Sequence, residues 1–153
     1  MRAVIQRCSS AAVYAQGEIS GRIQNGLLVL LGVGKDDRKE SAELLAKKVA
    51  ALRIFCDEND KINLSVKDCR GAVLVVSNFT LFADTKKGNR PSFTDAMDPI
   101  SAKNMYDYFC ECLRACGVAV ETGVFKADMQ IDLKADGPVT ILLDTDILLK
   151  NKA

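Results

Sequence analysis

Ser77-Asn78-Phe79-Thr80 sets two hydroxyls and an amide within four residues, directly after the apolar run Ala72-Val73-Leu74-Val75-Val76. A buried strand that ends in small polar residues delivers them to its mouth. There, hydroxyls and backbone N–H groups can hold a carbonyl and stabilise charge that develops on its oxygen. The chain has no histidine, which removes the Ser-His-Asp and Cys-His arrangements. A hydrolase built on these residues must therefore work by positioning and by oxyanion donors, without an imidazole base.

Two further segments carry chemistry. Asp136-Gly137-Pro138 is a turn signal, because glycine tolerates positive φ and proline fixes its own φ and lacks an N–H. Val139-Thr140-Ile141-Leu142-Leu143 follows at once, so Pro138 is expected at the first residue of a buried strand. A Gly-Pro unit there offers two backbone carbonyls as a side-chain-free surface. A trans bond is the commoner state, since cis is found in roughly 5–6% of X-Pro bonds in folded proteins. The other segment is the basic loop Lys86-Lys87-Gly88-Asn89-Arg90-Pro91-Ser92-Phe93. Lys86, Lys87 and Arg90 make a local patch suited to phosphates, although charge alone equally describes a solvated loop.

Taken in order, these segments resemble the D-aminoacyl-tRNA deacylases, hydrolases that proofread chirality. The family pattern is Ser-Gln-x-Thr-Leu, then Gly-Asn-Arg-Pro-Ser, then Asn-x-Gly-Pro-Val-Thr. Here these stand at Ser77 to Leu81, Gly88 to Ser92 and Ala135 to Thr140. Met1-Arg2-Ala3-Val4-Ile5-Gln6-Arg7 and Gly26 to Val33 fit the same family. Each motif alone is weak and the ordered set is strong. Two positions depart from the pattern: Asn78 stands for a Gln, and Ala135 replaces an Asn.

The resemblance implies hydrolysis of the ester joining a D-amino acid to the terminal ribose of a tRNA, with glycyl-tRNA on tRNA(Ala) also accepted and L-amino acids rejected. It implies a cis Gly137-Pro138 bond that enters the active site of a second subunit in a homodimer, and an Arg7 that braces the motif. Thr80, once a candidate nucleophile in such enzymes, reads here as a positioning hydroxyl, with the N–H groups of Phe79 and Thr80 facing the carbonyl. Ser77, Asn78, Phe79 and Thr80 are the expected catalytic set. Gly137, Pro138, Arg7, Lys86, Lys87 and Arg90 are the expected substrate-binding set, with no metal and no cofactor. Two rivals remain: a non-catalytic homodimer that grips RNA 3′ ends, and a sister deacylase acting on mischarged L-aminoacyl-tRNA.

Composition agrees with that class. The 153 residues suit one domain, and 48% apolar content supplies a core. No apolar stretch approaches the ~20 residues of a membrane span, and Arg2, Gln6 and Arg7 interrupt any signal-like start, so a cytoplasmic location is expected. A net charge of +1 does not suit wrapping of duplex DNA but permits contact with one RNA end. Six cysteines occur without a C-x-x-C pair, which favours buried reduced thiols over a zinc site. Gly32-Val33-Gly34-Lys35 lacks the spacing of a phosphate loop, and Asp36 stands where a hydroxyl would be needed.

The elements that must position these residues follow from periodicity. Strands are expected over Arg2–Tyr14, Ile19–Ile23, Leu27–Val33, Ala72–Thr80, Val118–Phe125, Met129–Leu133 and Val139–Leu143. Asp37 followed by Glu40 resembles a capping box opening a helix over 38–54 with Ala42, Leu45, Ala46, Val49 and Leu52 on one face. Asp98-Pro99 starts a second helix, and Gly117 closes it. The expected architecture is mixed α/β, largely antiparallel, curled toward a barrel with two main helices and a short charged tail after Leu149.

Overall fold

A computed structural model describes residues 1–150. Its longest strands are β1 (Arg2–Ala15) and β8 (Met129–Asp144), between which lie β2 (Glu18–Ile23), β3 (Gly26–Gly32), β4 (Phe55–Cys56), β5 (Ile62–Leu64), β6 (Ala72–Ser77) and β7 (Ala119–Thr122). The helices are α1 (Lys39–Ala51), α2 (Pro99–Ala115) and a short α3 (Thr145–Lys150) beyond the two expected. The expected tail after Leu149 falls mostly outside the described residues.

The main sheet runs β2-β1-β3-β6-β7, with β8 also on β1. β1 pairs antiparallel with β2, β3 and β8, whereas β3–β6 and β6–β7 are parallel. The parallel pairs require crossovers, which α1 and α2 supply, and that is why two helices pack on this sheet. β3 and β6 read as continuous apolar runs because both are buried. The sheet curls until β2 meets β7. At that seam a Cβ on Gly21 would stand 2.6 Å from the Thr122 carbonyl oxygen, so only glycine admits so close an approach. The barrel-like α/β architecture is the one expected.

Each helix buries one stripe. Ala42, Leu45, Ala46 and Val49 of α1 and Ala102, Tyr106, Phe109 and Leu113 of α2 join β1, β3 and β6 in the main core. Asp98 caps α2, its carboxylate accepting the Ser101 N–H at 3.0 Å, with Pro99 in the first turn. Gly117 follows α2 at φ +84°.

Four local expectations change. Asp37 does not cap α1: its carboxylate takes the terminal ammonium of Met1 and the Gly34 N–H, and Ser41 Oγ accepts the Arg38 N–H at the helix start instead. β6 stops at Ser77, and Thr80 lies in a 3-10 turn over Phe79–Phe82. Asp136-Gly137-Pro138 does not separate two strands but lies inside β8, most of whose residues are exposed rather than buried. The six cysteines are free thiols, with Cys8 and Cys110 buried as expected but Cys56 exposed. Among the described residues no helix is long and apolar enough to cross a membrane.

Candidate active site

The C-terminal end of β6 and the 3-10 turn open onto a cavity of about 750 Å³. Ser77, Asn78, Phe79 and Thr80 line it together with Phe93, Tyr106, Phe125 and Asp128. The sequence-expected catalytic quartet is thus assembled at one mouth. Asn78 organises it, because its Oδ1 accepts the Thr80 N–H at 3.2 Å and the Thr80 hydroxyl at 2.5 Å. This is a short side chain folding back on its own turn, and it caps the 3-10 helix. The Thr80 N–H, expected to face a substrate carbonyl, is therefore engaged within the chain.

The cavity has an apolar floor. Leu31, Val33, Ala102, Tyr106 and Met129 line it, and Phe79 and Phe93 meet edge to face with centroids 5.0 Å apart. Phe79 is 59% exposed, leaving a ring face open at the rim for stacking. The Tyr106 hydroxyl donates to the Val75 carbonyl at 2.7 Å; burial pushes its pKa well above the usual phenol range. It stays neutral and committed. At the rim, the Ser101 N–H holds the Asp98 carboxyl below its ordinary value, which makes it a poor proton acceptor. With the Thr80 and Tyr106 donors engaged within the chain, Ser77 and the Phe79 backbone are left to position a substrate, and no histidine stands by as base.

The basic loop borders this mouth. Backbone bonds of 2.8 Å in both directions between Asp84 and Ser92 close it, and Asp84 Oδ1 accepts the Lys86 N–H at 2.9 Å. Lys86, Lys87 and Arg90 stand exposed on it, and Phe93, just past its closing pair, lines the cavity.

Gly137, Pro138 and Arg7 lie elsewhere. Arg7 pairs with Leu27 near the start of β3, whereas the cavity begins at Leu31 at the other end of that strand. β8 pairs Thr140 with Gln6 and Ala135 with Cys8. The residues 136–139 therefore bulge out opposite the single residue Arg7. The Gly137-Pro138 bond is cis, as expected, and Gly137 sits at φ +125°. A Cβ there would lie 2.7 Å from the Val139 nitrogen. Arg7, only 8% exposed, braces the bulge as expected: its Nε donates to the Asp136 carbonyl at 3.3 Å and pairs with the Asp136 carboxylate at 3.2 Å, while Nη1 donates to the Ile54 carbonyl at 2.8 Å. One rigid guanidinium thus ties the bulge to the segment after α1. Sequence reading missed Gln6 and Asp136 as partners of this loop, because the mismatch in register that makes them neighbours is a property of the strand pair.

Comparison with known proteins identifies the family. A family model described as D-Tyr-tRNA(Tyr) deacylase matches residues 4–144. A D-aminoacyl-tRNA deacylase of Koribacter versatilis is 59% identical, covering 95% of this chain and 97% of that protein. One from Thermotoga petrophila is 56% identical, covering 97% and 99%. A solved structure titled c-Myc DNA Unwinding Element Binding Protein superposes with a TM-score of 0.88 at 39% identity, over 94% of this chain and 98% of that one. Another, titled as a probable eukaryotic D-amino acid tRNA deacylase, gives 0.77 at 18% identity over the same shares and speaks to fold alone. With the match spanning nearly the whole described chain, this protein belongs to the D-Tyr-tRNA(Tyr) deacylase family.

Proposed function

We propose that this chain hydrolyses the ester of D-aminoacyl-tRNA, releasing the free D-amino acid and the tRNA with its terminal hydroxyl restored. The observation that carries the reading is the coexistence of two built features: a polar cavity mouth without an imidazole base, and an exposed backbone bulge braced by a buried arginine. An aminoacyl ester suits such a mouth. Its protonated α-amine withdraws electrons and a ribose hydroxyl lies beside the scissile bond, so positioning and oxyanion donors suffice. Water attacks the carbonyl, the ester C–O bond breaks, and the ribose oxygen takes a proton. Thr80 positions groups, and the Phe79 N–H faces the carbonyl oxygen.

Selectivity comes from exclusion. The Gly137 and Pro138 carbonyls accept the substrate ammonium and leave no room for an L side chain, whereas a D side chain points outward. Glycine, being achiral, enters as well. In one chain the bulge and the cavity lie toward opposite ends of β3, so a homodimer in which each subunit lends its bulge to the other's cavity completes the site. Long β8, paired among the described residues with β1 alone and bearing the exposed Leu142, is the surface suited to that contact. Lys86, Lys87 and Arg90 hold phosphates of the acceptor end, with Phe79 at the rim for a base. A tRNA substrate supports a cytoplasmic location for a single-domain enzyme of this size.

Two measurements on the purified protein test this. Release of labelled amino acid from D-tyrosyl-tRNA over a protein-free control is expected; no release at micromolar enzyme would leave the RNA-gripping rival. Light scattering should give about twice the 16.6 kDa chain mass, and a monomer that still turns over would refute the shared site.

A further inference from the structure

A bulge in an antiparallel pair breaks the ladder and leaves backbone groups at its mouth in need of partners. Arg7 holds the entry side of this one through Asp136. The exit side is held differently. Gln6 Nε2 lies 3.2 Å from the Val139 carbonyl and 3.3 Å from the Arg7 carbonyl, and Gln6 Oε1 lies 2.5 Å from Thr140 Oγ1. Both carbonyls can only accept, so the amide nitrogen must face them and its oxygen must face the hydroxyl. All three contacts are then satisfied in one orientation.

From this geometry we infer that Gln6 is a positioning residue for the stereochemical filter. Its amide bridges the last residue of the bulge, Val139, to the lone residue opposite, Arg7, and is itself fixed by Thr140. Gln6 and Arg7 thereby pin the two ends of the same four-residue loop from adjacent positions on β1. The filter needs its two carbonyls held to within a fraction of an ångström, and backbone without side chains cannot supply that alone. The inference rests on the proposed chiral selectivity of the Gly137-Pro138 loop.

The test compares Gln6→Met, which keeps length but removes every hydrogen bond, with Gln6→Glu, which keeps the acceptor toward Thr140 and loses the donor. Thr140→Val removes the outer anchor only. In both Gln6 variants the ratio of kcat/KM for D-tyrosyl-tRNA over L-tyrosyl-tRNA should fall about tenfold, the worth of one to two hydrogen bonds, with Thr140→Val falling less. A purely structural role would lower the melting temperature and leave that ratio within about twofold of the parent, and this result overturns the inference. Amide hydrogen exchange at Gly137 and Val139 gives a readout that needs no activity. Exchange about tenfold faster in Gln6→Met is expected; unchanged exchange contradicts a positioning role. If the parent protein shows no preference for D over L, the selectivity reading fails, and exchange still decides whether Gln6 holds the loop.

Discussion

The amide oxygen of Asn78 lies 2.5 Å from the Thr80 hydroxyl and 3.2 Å from the Thr80 amide nitrogen. Both polar protons of Thr80 are thus drawn to one side chain, which leaves the hydroxyl oxygen as an acceptor. With that proton shared to an amide, which is no base, Thr80 is poorly placed to become an alkoxide. Its oxygen is instead well placed to accept from a substrate hydroxyl or ammonium. The shorter Asn in place of the family's Gln makes this local loop possible, because an Asx side chain reaches the N–H two residues on.

Thr80→Ala should accordingly lower kcat/KM on D-tyrosyl-tRNA by about 10²-fold or less, the size of a lost orienting or donor contact. A loss beyond about 10⁴-fold in a folded variant that still binds tRNA would return Thr80 to the role of nucleophile.

The exposed loop closed by Asp84 and Ser92 makes a separate claim. Lys86→Ala or Arg90→Ala should weaken tRNA binding and shallow the slope of log Kd against log salt by about one contact's worth. Melting temperature should hardly move, since neither side chain is buried. Equal affinity at low and high salt for parent and variants would leave the loop as plain solvated surface.

The closing seam of the sheet tests the fold. Gly21→Ala places a methyl 2.6 Å from the Thr122 carbonyl oxygen and 2.9 Å from Leu74 Cδ1. Backbone on one side and core on the other leave it nowhere to go, so about 1–3 kcal/mol of stability should be lost in denaturant unfolding. An unchanged midpoint would mean that β2 and β7 part easily. Gly17, where an added Cβ meets nothing within 4 Å, is the control for glycine removal, its cost coming from φ +78° alone.

Much of this architecture is legible in the residues. Unbroken apolar runs mark β3 and β6, Asp98-Pro99 marks the start of α2, and helical spacing marks α1, because each signal is local. What is not legible depends on partners distant in sequence. Asp37 reads as a helix cap until the Met1 ammonium takes it. Gly137-Pro138 reads as a turn between strands, yet β1 runs alongside both halves and makes them one bulged strand. Gln6 carries no motif of its own, and gains its place only because Thr140 pairs with it across the ladder. The separation between the bulge and the cavity within one chain follows from the family resemblance and from no local signal in the residues.

The most direct measurement of the central claim is a side-by-side hydrolysis of D-tyrosyl-, L-tyrosyl- and glycyl-tRNA, with a second D-aminoacyl-tRNA of unrelated side chain. A filter made of Gly137 and Pro138 backbone should pass both D substrates at similar rates, pass glycine, and spare the L ester by orders of magnitude. Comparable rates on D- and L-tyrosyl-tRNA would contradict it.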